Sequence, residues 1–341
     1  MGSSTDTSGD CKVPDTVGPV SGPVARRWRM PWPQLIACLV ILVGTAVFLY
    51  PHMASWFSQK EQSRVLGMSH EWLEQPPNDE ASHRAEQIAK AHRYNEALAS
   101  GAQLKANERV PVGDGASSDE SLVYENILSF ADNGFMGRLR YDALEIDLPI
   151  YHGTSEDTLL RGVGHLEGTS IPVGGVGTRA VLTAHRGLPT ATLFNELNRA
   201  VKGDIVTVAV LDQVLSYRVI ESRVVEPDET EAILPDPDQD LLTLVTCTPL
   251  GVNSHRILVT AERITPTPSE EIAAAEAAPD LPGFPWWAVI LGAVIVFVVV
   301  YVWWSGYPPK KVGGKKVAGR RAGGAKSGGE VGGVGATTGT K

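Results

Sequence analysis

Two stretches of this chain carry no charge at all, and they constrain what everything between them can be. They are residues 34–50 (QLIACLVILVGTAVFLY) and 285–304 (PWWAVILGAVIVFVVVYVWW). At ~1.5 Å rise per residue, helices of this length cross or nearly cross the ~30 Å hydrocarbon layer of a bilayer. Trp32, Trp286, Trp287, Trp303 and Trp304 stand at or beside the run ends, where indole rings favour the membrane interface. Arg26, Arg27 and Arg29 precede the first run, and a Lys/Arg cluster follows the second. Basic residues stay on the cytoplasmic side. The pattern therefore predicts two transmembrane helices, both termini cytoplasmic, and residues 51–284 outside. A cleaved signal peptide is the alternative for the first run, but its apolar part is long for that role and stands well inside the chain. For the second run a buried core helix is a poor reading, because the run is apolar all round.

Charge is distributed to match. The net charge is −9, yet residues 310–341 sum to +7 and residues 1–34 to +1, which leaves −17 for the body. An acidic body repels phosphates and argues against nucleic acid as a partner. Two basic ends fit the cell membrane instead.

The cysteines narrow the chemistry. Cys11 falls in the N-terminal tail and Cys38 inside the first apolar run, so Cys247 is the thiol left in the outward region. Secreted domains normally pair their cysteines. An unpaired external thiol is either a buried, inert residue or one kept for its reactivity.

Composition divides the chain further. Residues 1–33 lack periodicity and read as a disordered cytoplasmic tail. Residues 51–134 form an extracytoplasmic helical and lid region, with a helix predicted over 81–100 and a Gly/Ser/Asp-rich loop over 106–121. From 135 to 265 the pattern becomes β-like. Strands are predicted at 135–141, 144–151, 179–184, 205–211, 214–220, 241–246 and 256–262, with a hairpin turn at Asp212-Gln213. Short helices fit 155–160 and 192–200, where Ser155 with Asp157 and Thr192 with Asn195 offer capping chemistry. Many short strands with few helices favour a closed barrel or sandwich. Residues 266–284 read as a stalk, 285–304 as the second span, and 305–341 as a basic cytoplasmic tail.

The chemistry-bearing residues follow the strands. In LLTLVTCTP (241–249) an apolar strand ends at Cys247, and Pro249 blocks the ladder just beyond it. A thiol at a strand mouth is held rigidly and can face a groove, although most cysteines are simply small core residues. Its ordinary pKa near ~8.5 leaves it protonated at neutral pH, so it needs a base or a cation to act as a nucleophile. His185 closes the apolar strand AVLTAH, while His152 and His165 also flank turns, and periodicity does not separate the three. Arg256 opens the strand RILVTAE nine residues after Cys247, a separation suited to adjacent antiparallel strands. A guanidinium there could stabilise an oxyanion; the plain alternative is a solvated cation. No metal-ligand spacing or phosphate-binding glycine loop stands out.

TLVTCTP (243–249), TAHRGLP (183–189) and SHRILV (254–259) resemble the Cys, His and Arg motifs of sortases. LPIYHGTSEDTLLRGVGHLEGTSIPVGG (148–175) is similar to the corresponding region of class C, pilin-polymerising sortases, as are the AHRYNEAL helix and the two spans. The resemblance covers residues 81–304. It implies a mainly β fold: a closed sortase-type β-barrel of about eight strands with short helices, flanked by the two transmembrane helices. It implies a transpeptidase that cleaves a Leu-Pro-x-Thr-Gly-like sorting signal between Thr and Gly, without a cofactor. By resemblance Cys247 attacks the Thr carbonyl, His185 is the acid/base, and Arg256 positions substrate and stabilises the oxyanion. His152 and His165 match positions outside that triad. The implied partners are sorting-signal-bearing surface proteins, pilin subunits in class C, whose lysine resolves the thioester. The implied setting is the membrane of a Gram-positive-type envelope.

One departure stands out. Class C relatives commonly carry a lid with an Asp-Pro-aromatic motif, whereas this chain has Val112-Gly113-Asp114-Gly115-Ala116. Asp114 is the candidate lid residue, but the proline and aromatic are missing. The competing expectations are a sortase that anchors proteins to cell-wall peptide, a cysteine hydrolase, and a non-catalytic membrane-tethered binding domain.

Overall fold

The computed structural model describes residues 27–98, 122–131 and 133–307. Asp114, the loop 106–121 and most of both tails lie outside the described residues. The chain divides into two compact units. In the first, whose described residues are 27–35 and 300–307, the Arg29 N–H donates to the Gly306 carbonyl (2.9 Å) and the Trp28 indole to the Trp303 carbonyl (3.2 Å). The second, residues 36–299, holds the barrel.

Helix α1 (Trp32–Leu73) carries the first apolar run and continues through Pro51 for about six more turns. Its later part is amphipathic. There Val65 and Leu66 cluster with Phe135 and Tyr151, and Trp72 packs against them. Helix α2 (Ala81–Glu96) follows, and α5 (Trp286–Ser305) carries the second run. The apolar runs are bare: Phe48 is 75% and Trp304 73% exposed. A core helix of a soluble domain would bury such residues, so both helices are candidate membrane spans.

Between them lie eight strands: β1 (Phe135–Tyr141), β2 (Ile146–His152), β3 (Val163–His165), β4 (Thr178–Thr183), β5 (Ile205–Val210), β6 (Gln213–Val225), β7 (Asp240–Thr248) and β8 (His255–Ile264). They close into a barrel in the order β1-β2-β3-β4-β7-β8-β6-β5. The pairs β2–β3 and β4–β7 are parallel and the rest antiparallel. Period-two alternation sorts the side chains. Leu139, Ile150, Leu182, Val208, Leu244 and Val259 fill the interior. Val181, Val245 and Leu258 point outward into a second apolar cluster, closed by Leu166, Val225, Ala232 and Ile233. Each fully buried Val, Leu or Ile among them contributes roughly 1.5–3 kcal/mol.

The structure corrects several expectations. Strand β3 was not foreseen. The hairpin joining β5 and β6 turns on Leu211-Asp212 rather than Asp212-Gln213, because Val210 pairs with Gln213. One expectation holds: Ser155 caps α3 (Glu156–Arg161) by accepting from the Thr158 N–H (3.2 Å), with Asp157 in the first turn. The helix expected over 192–200 reduces to a 3-10 turn at Leu197–Arg199. There the Arg186 Nε donates to the Asn195 carbonyl (3.0 Å) and the Phe194 N–H to the His185 carbonyl (3.2 Å), so tertiary partners take groups an α-helix would use. The segment 266–284 includes helix α4 (Ser269–Glu276), laid against β5 and β6, where the Thr207 hydroxyl donates to Glu271 (2.9 Å).

Candidate active site

The barrel's register brings three predicted side chains to one outer face. Cys247 on β7 is the register partner of Arg256 on β8. On the other flank of β7, Thr183 of β4 pairs in parallel with Val245. The Ala184 N–H extends that ladder to the Val245 carbonyl (3.3 Å), and the Thr246 hydroxyl donates to the Ala184 carbonyl (2.7 Å). His185 therefore leaves the sheet alongside the end of β7. Alternation gives all three the same orientation. Val181, Val245 and Leu258 belong to the outer apolar cluster. His185, Cys247 and Arg256 lie two or four residues further along the same rows, and extend that cluster toward the strand mouths.

All three are buried: Cys247 is 3% exposed, His185 4% and Arg256 0%. The Arg256 Nη1 donates to the carbonyls of Asn253 (2.8 Å) and His255 (3.1 Å), which fixes the guanidinium at the turn between β7 and β8. Burial pushes the Cys247 thiol above its ordinary pKa, and the positive charge of Arg256 pulls it part of the way back. A thiolate in this site thus depends on its cationic neighbours.

His185 is framed by the loop that follows it. The Arg186 guanidinium donates to the Asn195 carbonyl (3.0 Å), to the Thr248 hydroxyl (3.3 Å) and to the Asn198 side-chain oxygen (2.9 Å), tying this loop to the end of β7. From the far side, the Glu156 carboxylate stands 3.5 Å from the His185 Nε2. Neither Arg186 nor Glu156 was singled out from the sequence. Arg186 had a signal, since it adjoins His185 in TAHRGLP; Glu156 had none, because only the fold brings α3 to His185.

The other two histidines hold structure. His165 is wholly buried on β3, its Nδ1 accepting from the Tyr124 hydroxyl (2.8 Å) and its Nε2 donating to the Ser170 carbonyl (2.8 Å). Burial lowers its pKa to about 4, so it is neutral at physiological pH. His152 reaches the carbonyls of Gly134 (3.0 Å) and Ile127 (2.7 Å), tying the segment before β1 to the end of β2.

Comparison with known proteins points the same way. The family model described as Sortase domain matches residues 139–264. A curated relative, sortase A of Streptococcus agalactiae, is 31% identical over 166 residues. That match covers 47% of this chain and 66% of the relative, just short of two thirds of its length. Among solved structures, sortase A from Corynebacterium diphtheriae is 32% identical with a TM-score of 0.50, over 63% of this chain and 95% of that one. Sortase C-1 from Actinomyces oris is 43% identical, over 53% of this chain and 98% of that one, with a TM-score of 0.47.

Proposed function

This chain belongs to the sortase family, and from that premise we propose that it is a membrane-anchored cysteine transpeptidase acting on a Leu-Pro-x-Thr-Gly-like sorting signal. The observation that carries the reading is the pairing of Cys247 with Arg256 across β7 and β8, with His185 leaving the parallel neighbour of β7. In this reading the Cys247 thiolate attacks the Thr carbonyl and the tetrahedral oxyanion forms beside the Arg256 guanidinium. His185 in its protonated form then gives its proton to the leaving Gly amine. The incoming amine attacks the thioester, returns a proton to His185 and releases Cys247.

We further propose that α1 and α5 cross the membrane, with the barrel of residues 135–265 outside and both termini cytoplasmic. For the acceptor we propose a pilin lysine, supported by the resemblance of residues 148–175 to class C sortases. The alternative, attachment to cell-wall peptide, is favoured by one observation: Asp114 lacks the neighbouring proline and aromatic of a class C lid. The test incubates the full chain in detergent micelles with candidate pilins. Wild type should trap a thioester and build a covalent ladder, and Cys247→Ala should do neither while unfolding at nearly the same temperature, because it deletes a single atom. Turnover retained in Cys247→Ala refutes the assignment. Single attachments to a wall-peptide amine, without a ladder, would select the alternative acceptor.

A further inference from the structure

The charges around His185 pose a problem for the chemistry just described. Moving the Cys247 proton to His185 creates an imidazolium in a buried site that already holds the Arg256 guanidinium. Arg186 adjoins it in the chain and is bonded to Asn195, Asn198 and Thr248, and Arg256 stands across Cys247 on β8. Like charges at short range disfavour the protonated ring. A counter-charge is present. Glu156 opens α3, in a turn fixed by the Ser155 cap, and its carboxylate lies 3.5 Å from the His185 Nε2. The neighbouring acid, Asp157, is engaged with Arg161 (3.3 Å), so of the two only Glu156 is directed at the ring. His185 is nearly sealed, whereas the Glu156 side chain is 56% exposed. Water therefore solvates one side of the carboxylate while its other side faces the ring.

Resting on the catalytic reading above, we propose that Glu156 is a positioning residue, holding the His185 ring and stabilising its imidazolium opposite the Cys247 thiolate. The step is one proton transfer from Sγ to the imidazole, with no other bond made or broken. Glu156 raises the population of the thiolate–imidazolium pair without touching substrate. Because the carboxylate is half in solvent, the effect is modest, roughly three- to tenfold in that population.

The test is the rate of Cys247 alkylation by iodoacetamide across acid to alkaline pH. It uses the full chain in detergent micelles, with the modified peptide quantified so that Cys11 and Cys38 do not contribute. Wild type should show a low-pH limb from the thiolate–imidazolium pair and a high-pH plateau from the free thiolate beside neutral His185. Glu156→Gln should lower the low-pH limb roughly three- to tenfold and leave the plateau unchanged. Glu156→Asp, which keeps the charge, should restore part of the limb. A Glu156→Gln profile superimposable on wild type overturns the proposal. So does one lowered equally at every pH, which would mark a packing role. His185→Ala serves as a separate arm: if it keeps the low-pH limb, the His185–Cys247 pairing itself is wrong, whatever Glu156 does.

Discussion

Arg138 and Asp147 form a buried ion pair whose loss can be predicted in magnitude. Their side chains are only 8% and 5% exposed, and the contact is two-pronged, with Nε on Oδ1 at 2.6 Å and Nη2 on Oδ2 at 2.7 Å. The Arg138 Nη1 also donates to the carbonyls of Ala275 (3.0 Å) and Ala277 (2.8 Å), and Asp147 accepts from the Asp280 N–H (3.0 Å). Arg138→Met strands the Asp147 carboxylate in the barrel wall and leaves the end of α4 without its donors. Breaking one side of a buried pair costs about 3–5 kcal/mol. For a folding unit of this size each kcal/mol shifts Tm by about 2–4 °C, so the expected fall is about 6–20 °C. Salt should barely change it, because the pair is shielded from solvent ions. The double variant Arg138→Met/Asp147→Leu removes both charges and should be less damaged than Arg138→Met alone. The assay is thermal unfolding of the full chain in detergent, followed by tryptophan fluorescence. A fall under about 4 °C, the scale of an exposed ion pair, or single-variant losses that simply add in the double, would refute the reasoning.

Three further outcomes follow from the same structure. Because burial holds His165 at about 4, the unfolded chain binds its proton first. Stability from this residue is thus present above the unfolded value near ~6.5 and is lost as pH falls toward 4, about 2 kcal/mol by pH 5. In His165→Gln this part of the fall in Tm between those pH values should vanish. Arg256→Gln should raise the pH midpoint of Cys247 alkylation, since the thiol stays buried while the cation that lowers its pKa is gone; an unchanged midpoint in a folded variant would contradict this. Deleting residues 110–120 should speed Cys247 labelling by less than about threefold, and a tenfold increase would show a working lid around Asp114.

Strand β7 was legible because seven consecutive residues, Leu241 to Cys247, are buried, and a fully buried strand reads as a near-continuous run of apolar and β-branched residues. The nine-residue separation of Cys247 and Arg256 likewise translated into a register pair around a short turn. Strand β3 was illegible for the opposite reason. It is three residues long, and Gly164 sits where the Gly153 carbonyl occupies the space a Cβ would need, so close packing removed the side chain that would have marked it. The segment 192–200 has helical composition, but Arg186 and His185 claim its backbone groups, and that competition is invisible in local sequence. The same holds for the three histidines. Each ends or flanks a strand, and what distinguishes them is the partner each meets: Tyr124 for His165, the Ile127 carbonyl for His152, Glu156 for His185.

The long reach of α1 beyond its apolar run has a consequence for where this chain can work. Gln59 donates to the Thr192 hydroxyl (3.2 Å), and the Trp56 indole to the Gly283 carbonyl (2.8 Å). The loop after His185 is thereby pinned to a helix position nine residues past Tyr50. With α1 seated in the bilayer as proposed, that helix acts as a ruler and sets the loop about 14 Å above the end of the apolar run. An acyl donor tethered in the same bilayer would span this height with about four extended residues. Donors with a shorter leash would fall beneath the site, and those with a longer one would spend part of their time sweeping past it.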